Sequence, residues 1–395
     1  MIRLALLLLL LPASALAQPL TLDQALLRAE RFSTELQLQE LSAEAAEARW
    51  LADPRAGSPS LRLGLRDIDL APGSTAPPEL AAKIRAPLPR PWELATAARQ
   101  ADATVAREDA ELAGMRERLQ LAVTRRFHAL PLLRESVTWA GRLAELRAQH
   151  VRLVEQRRAG GLATALDWLA SEEARRDAAD RHAERLAELE ATEGELRSLL
   201  RWPADQALEI APDDRAQLAI RPIPSGAALT GRGDPAVRAA EAEIARANAR
   251  LERVRLRALP AVDWVQSGAV FRKGRQPAFE IGVSIDIPVQ MWSPDRTRAA
   301  SDAVSRATLE LHQAEQDADA RLARRVRAAD AARTTWRVEM EHRDAIADHA
   351  APLIDHADPL LKLELEARLV QAELRVQRAF QQLVEARDRL DAAAW

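Results

Sequence analysis

The chain of 395 residues has a net charge of −3, no cysteine, no tyrosine, nine tryptophans and five phenylalanines, with 48% of its residues hydrophobic. Without cysteine there is no disulfide, thiol nucleophile, thiolate metal site or N-terminal lipid-modified residue, and near-neutrality leaves no basic footprint for nucleic acid. Ala and Leu interleaved with Arg and Glu favour long helices and coiled coils over an ordinary aromatic core.

Residues 1–17 read as a signal peptide. Arg3 supplies a positive start, Leu4 to Leu11 an apolar run, and Ala15-Leu16-Ala17 a small-x-small site, so cleavage is expected before Gln18. The run is far shorter than the roughly 20 apolar residues of a spanning helix, and no later stretch reaches that length. If the mature chain is integral to a membrane, it crosses as strands.

From there the sequence is one unit written twice at an offset of about 200. Pro59 recurs as Pro260, Pro87 as Pro288, and Trp92, Asp102 and Ala103 as Trp292, Asp302 and Ala303. The expected organisation is a first repeat over 18–200, a linker over 201–235 rich in Pro and Gly, and a second repeat over 236–395. Each repeat is expected to run helix, two strands, a long helical hairpin. Thr21 and Gln24 have capping-box spacing at the start of a helix of about 30 residues. The pattern from Glu93 to Arg158 predicts a rod of roughly 100 Å, with a kink or break at Pro131. Leu132, Trp139, Leu146 and Leu153 recur every seven residues, as do Leu369, Val376, Leu383 and Leu390, with Ala372, Ala379, Ala386 and Ala393 as a second series.

Phe279, Ile281, Val283, Ile285 and Ile287 alternate with Glu280, Gly282, Ser284 and Asp286, and Leu80, Ala82, Ile84 and Ala86 alternate with Lys83 and Arg85. Leu61, Leu63 and Leu65 repeat the pattern, while 261–271 is less regular. Period two marks a sheet with one apolar and one polar face. A half-buried sheet of a soluble domain shows the same alternation. In lipid, four strands cannot close a barrel alone, so a barrel has to be shared between chains.

The repeated strand-pair and long-helix unit, the opening LTLDQAL, the strand exits KIRAPLPRPWELATAARQADA and GVSIDIPVQMWSPDRTRAASDA, and the break QRRAGGLATALDWLASEEAR resemble the TolC-like outer membrane efflux proteins over nearly the whole mature chain. The resemblance implies a mainly α chain with a small β part, trimerising into a periplasmic α-barrel tunnel and a shared twelve-stranded β-barrel. It implies a homotrimer in outer-membrane lipid, no catalysis and no cofactor. The partners it implies are a periplasmic adaptor (membrane fusion) protein and an inner-membrane pump of RND type. It also implies that the adaptor docks at the turn containing Gly160, Gly161, Leu162, Thr164 and Asp167, and that carboxylates near the second tip, here Glu364 and Glu366, gate the tunnel. Helix-face solvation is the plainer role for that pair.

Trp92, Trp264 and Trp292 fall where the strands would meet the periplasmic interface, with Phe271 and Phe279 flanking the outer loop; packing in a soluble sheet would use the same rings. The second reversal, LIDHADPLLKLELEAR, is shorter than the first, with Asp358-Pro359 able to open a helix. Just before it Glu341-His342, Asp348-His349 and Asp355-His356 place an acid-His pair at each heptad step. His342, His349 and His356 lie about 10 Å apart along the helix, too far for one chain to chelate one ion, and a kink at Pro352 would throw His356 off their face. Three copies could stack as rings that bind a transition metal or charge between pH 5 and 8, or the ladder could simply face solvent. The segments SPSLRLGLRDI and IPVQMW look most like the heavy-metal, CzcC-like branch. Type I secretion, drug efflux and, in another class, a soluble periplasmic coiled-coil scaffold are the alternatives. No G-x-S-x-G elbow, HExxH helix, P-loop or Rossmann fingerprint is present.

Overall fold

A computed structural model describes residues 19–52, 59–66, 79–88, 91–211, 233–271, 276–287, 294–354 and 356–392. The signal segment, Trp292, Asp355 and most of the expected linker lie outside them. The elements are α1 (Leu22–Phe32), α2 (Thr34–Ala52), β1 (Ser60–Arg66), β2 (Glu79–Pro87), α3 (Pro91–Ala159), α4 (Ala165–Leu200), α5 (Pro235–Arg257), β3 (Ala261–Phe271), β4 (Ala278–Asp286), α6 (Pro294–Ile354) and α7 (Pro359–Asp391). The chain is mainly helical with one small antiparallel sheet, and helix, strand pair, long helix and return helix occur twice in that order.

Local chemistry sets the helix limits. The Thr21 side chain accepts from the Gln24 amide while Gln24 reaches back to Thr21, closing the capping box at α1. The single opening helix expected of 30 residues is instead two. Ser33 adopts an extended conformation at the end of α1, and its hydroxyl accepts from the Leu36 amide to start α2. Of the kink or break expected at Pro131, the break does not form: α3 is helical for 69 residues through it. Its flanking residues Leu130, Leu132 and Leu133 are all buried, so packing outweighs the one backbone bond that proline removes.

Two compact units form, and they cut across the sequence repeats. The first combines residues up to Leu36 with Met115–Thr230 and Asp319–Trp395. It is held by helix seams. Ala25 and Ala29 of α1 pack with Val123, Phe127 and Leu130 of α3 and with Leu196 and Leu200 of α4. Further along α3, Leu143 and Leu146 meet Ala178 of α4 and Ala367 and Val370 of α7, and Leu322 and Ala329 of α6 meet Ala386 and Leu390 of α7. The heptad series are these seams: Val376, Leu383 and Leu390 are buried, as are Ala372, Ala379 and Ala386. Alternating a large residue with alanine lets the helices approach closely.

The second unit, Gln37–Gly114 and Gly231–Ala318, contains the sheet. Strand order is β1-β2-β3-β4, antiparallel throughout. The irregularity of β3 has a physical form: the register shifts between Val262 and Trp264, a bulge that adds a residue and turns the alternation over.

Candidate functional site

The register brings most of the large apolar residues of the four strands to one face. Leu61 lies opposite Ile84 and Leu63 opposite Ala82; Leu80 opposes Phe271 and Ala86 opposes Val265; Phe279 opposes Ala269, and Val283 opposes Val265 from the other side. These side chains stand out from the protein, with Phe279 81% and Ile281 82% exposed.

The reverse face carries the charged residues, along with buried Ala81 and Val270. Lys83, Gly268 and Glu280 are aligned across three strands, and the Lys83 ammonium donates over the glycine to the Glu280 carboxylate. A Cβ at Gly268 would sit 2.8 Å from both the Ala82 carbonyl oxygen and the Lys83 Cγ, so no larger residue fits under this bridge. Gly268→Val is expected to cost about 1–3 kcal/mol of stability through overpacking. Gly64→Ala, where an added Cβ meets nothing within 4 Å, should stay within about 0.5 kcal/mol. Thermal unfolding of the two variants checks the pair.

Of the rings expected at a membrane interface, Phe271 and Phe279 stand on the apolar face and Trp264 does not. Its ring lies on the polar face, 4.3 Å from the Arg85 guanidinium, because the bulge reverses its parity. Trp92 is half-buried in the first turn of α3, and Trp292 lies outside the described residues.

The first helical reversal is built by its sequence. Amides of Gly160, Gly161 and Leu162 donate to carbonyls of the last turn of α3 at 3.2, 3.0 and 2.7 Å. Gly161 takes φ +74°, a conformation that needs no Cβ. Thr164 then caps α4: its hydroxyl accepts from the Asp167 amide at 3.1 Å, while the Asp167 carboxylate accepts from the Thr164 amide and hydroxyl at 2.8 and 2.7 Å. These bonds to its ionised form hold Asp167 below the usual carboxylate range. Around this polar turn Leu162 and Leu166 are 80% and 76% exposed.

The shorter second reversal is also a hairpin. Asp358 caps α7, accepting from the Leu360 amide at 3.2 Å, with Pro359 in the first turn. The same carboxylate receives the Arg157 guanidinium from the end of α3, tying the two tips together.

The candidate gate carboxylates have partners within the chain. Glu364 accepts from Arg147 of α3 at 2.5 Å and from Arg368 at 3.2 Å, and Glu366 lies 3.8 Å from Arg142. Burial pushes the Glu364 carboxyl up, but the bonds and charges of Arg147 and Arg368 outweigh it and hold the group below its ordinary value. Burial also lowers His150 beside this pair, with Glu364 opposing that shift and Arg147 adding to it. A depressed carboxyl stabilises the fold above its unfolded value, and that contribution disappears as pH falls through the folded value. Arg147→Ala is therefore expected to cost about 1 kcal/mol at neutral pH and to move acid unfolding to higher pH, read by helicity against pH.

His342 and His349 line a hollow between α6 and α7. His356 is not in register with them, since α6 ends at Ile354 and the His356 amide donates to Leu353 in the turn. Among the described residues no group of three His, Cys, Asp or Glu is placed to hold a metal ion within one chain.

Two features have no counterpart in the sequence patterns. The arginines facing Glu364 and Glu366 come from α3, more than 200 residues away. A buried pair links α3 to α7: His128 Nδ1 lies 2.9 and 3.1 Å from the two Asp388 carboxylate oxygens, with side chains only 6% and 4% exposed. The available signal was a histidine and an aspartate set among the apolar seam residues Phe127, Leu130 and Leu390.

No protein-family profile matches this sequence, and no characterised protein sequence does. Solved structures do. CusC, whose crystal structures concern folding and transmembrane channel formation, matches with TM-score 0.73 at 16% identity over 94% of this chain and 91% of that one. The outer membrane protein VceC of Vibrio cholerae matches with TM-score 0.71 at 15% identity over 94% and 95%. The chain has the fold of these proteins. The open-state outer membrane channel MtrE of Neisseria gonorrhoeae has it too, with TM-score 0.68 at 15% identity over 94% and 88%.

Proposed function

We propose that the chain is the outer-membrane duct of a tripartite efflux system of the TolC-like family. Three copies join edge to edge into a twelve-stranded barrel, and the helices continue as a periplasmic tunnel. The observation that carries this reading is the exposed apolar face running across all four strands, backed by a polar face with the Lys83–Glu280 bridge. The strands β1 and β4 are the sheet's outer members, and an unpaired edge is not tolerated in lipid, so neighbouring copies must supply the missing partners. The outer membrane protein VceC and the outer membrane channel MtrE, which share the fold, support the same assignment.

In this reading the α3–α4 tip, with Leu162 and Leu166 projecting beside the Thr164–Asp167 cap, receives the adaptor. Energy comes from an inner-membrane pump, which we infer to be of RND type, and the chain performs no chemistry. Heavy-metal cations are the proposed cargo, on the strength of the SPSLRLGLRDI and IPVQMW segments. In this reading Glu364 and Glu366 remain the candidate gate, with Glu364 hydrogen-bonded to Arg147 and Glu366 within 3.8 Å of Arg142 in each chain.

Fractionation separates the duct from a soluble periplasmic scaffold. Release from the outer-membrane fraction only by detergent is the expected result; release with the periplasm on osmotic shock would reject the duct. A deletion strain tested against metals, dyes and detergents then reads the cargo.

A further inference from the structure

Two adjoining hollows on the helical unit share Gln371 and Arg375 of α7. The first, about 390 Å³, lies between α3, α4 and α7 and is lined by Arg181, Arg185, Arg375 and Arg378 against a single carboxylate, Glu184. The second, about 550 Å³, adds Arg368 with His342 and His349, and among the described residues no carboxylate lines it.

Most of these arginines spend one edge on an acid of a nearby helix turn or neighbouring helix. Arg181 bonds Asp177 at 2.6 Å, Arg185 bonds Glu188, Arg368 bonds Glu364 at 3.2 Å, and Arg375 stands 3.6 Å from Glu339. Those acids lie outside the lining of both hollows. A guanidinium has five donors in a planar fork, so one bound carboxylate leaves donors directed elsewhere. Arg378 has no ion pair among the described residues, and Gln371 adds an amide where the hollows join. Donors from α4 and α7 thus border one groove whose described lining contains a single carboxylate, Glu184.

We propose that this groove is a binding site for a multivalent oxyanion, a phosphate- or polycarboxylate-bearing molecule held by Arg375 and Arg378 of α7 and Arg181 and Arg185 of α4. Planar forks of this kind match phosphate and carboxylate oxygens bidentately, and charge-assisted bonds of that type are about twice as strong as neutral ones. The inference does not depend on the duct assignment, since it uses only the side chains of one chain.

Equilibrium dialysis of the purified full chain in detergent tests it, with radiolabelled inorganic phosphate and, separately, citrate, at ionic strength fixed with chloride. Saturable binding is expected, weakened at least about tenfold in Arg375→Ala/Arg378→Ala, the loss of one charged bond or more. Arg176→Ala, an exposed arginine outside both hollows, should bind as wild type. Glu184→Gln removes the only carboxylate among the described lining residues and should tighten binding severalfold, a result that stands even if the double variant misfolds. Phosphate binding without citrate binding assigns the site to phosphate groups, and the converse to polycarboxylates. Absence of saturable binding of either anion, or affinities unmoved in both the double variant and Glu184→Gln, would overturn the proposal.

Discussion

Asp388→Ala is expected to destabilise the helical unit by about 3–5 kcal/mol, the cost of leaving one member of a buried, hydrogen-bonded pair without the other. The pair joins residues 260 positions apart, His128 on α3 and Asp388 on α7. The Asp388 side chain is only 4% exposed, so its polar atoms are cut off from bulk solvent and depend on partners within the fold. Burial pushes the Asp388 carboxyl up, and the hydrogen bond and charge of His128 oppose that only in part. Relative to a free aspartate, the fold favours the protonated form. That contribution is fully present below the ordinary aspartate range and is lost as pH rises through the raised folded value. Burial of both groups offsets much of what their contact contributes, so the pair is expected to add little net stability over a well-packed apolar replacement. His128→Leu/Asp388→Leu should accordingly recover to within about 1 kcal/mol of the wild type or exceed it. Denaturant unfolding of both single variants and the double gives the coupling directly. A loss below about 1 kcal/mol in Asp388→Ala would mean that the pair is not formed as described.

Ile281→Arg is expected to abolish membrane insertion while leaving the helical unit folded. Ile281 is 82% exposed on β4, flanked on the same face by Phe279 and Val283. On the lipid face of a barrel, a mid-strand arginine costs about 2–4 kcal/mol, and threefold assembly would impose it three times. The adjacent residue supplies the control. Glu280 points to the opposite face, where it pairs with Lys83, so Glu280→Gln should insert normally. It would release a positive charge into the lumen and shift ion selectivity away from cations. Outer-membrane yield separates these outcomes: equal insertion of Ile281→Arg and wild type would contradict a lipid-facing β4.

The period-seven series and the period-two alternations were legible because each reports a local geometric repeat that side-chain burial must follow. They led to the seams of α7 and to three of the four strands. The misreadings occurred where a single residue competes with tertiary packing. Pro131 sits among the buried leucines of α3, which keep the helix continuous, and Ser33 uses its hydroxyl to end one helix and begin the next. The face of Trp264 was equally hidden: the bulge before it, invisible to composition, turns its ring to the side of Arg85. The Thr164–Asp167 cap and the glycine turn were readable because capping is a three-residue matter. The arginines facing Glu364 and Glu366, the Lys83–Glu280 bridge over Gly268 and the His128–Asp388 pair were not. Each joins residues distant in the chain, and no local pattern encodes which charged positions will meet.

The central claim is that an assembly of this chain forms a water-filled path across the outer membrane. Purified full-length protein added to a planar lipid bilayer tests it most directly. Discrete, repeatable conductance steps, absent with Ile281→Arg and altered in ion selectivity with Glu280→Gln, are the predicted result. A detergent-stable protein that inserts and gives no conductance under any applied voltage would contradict it.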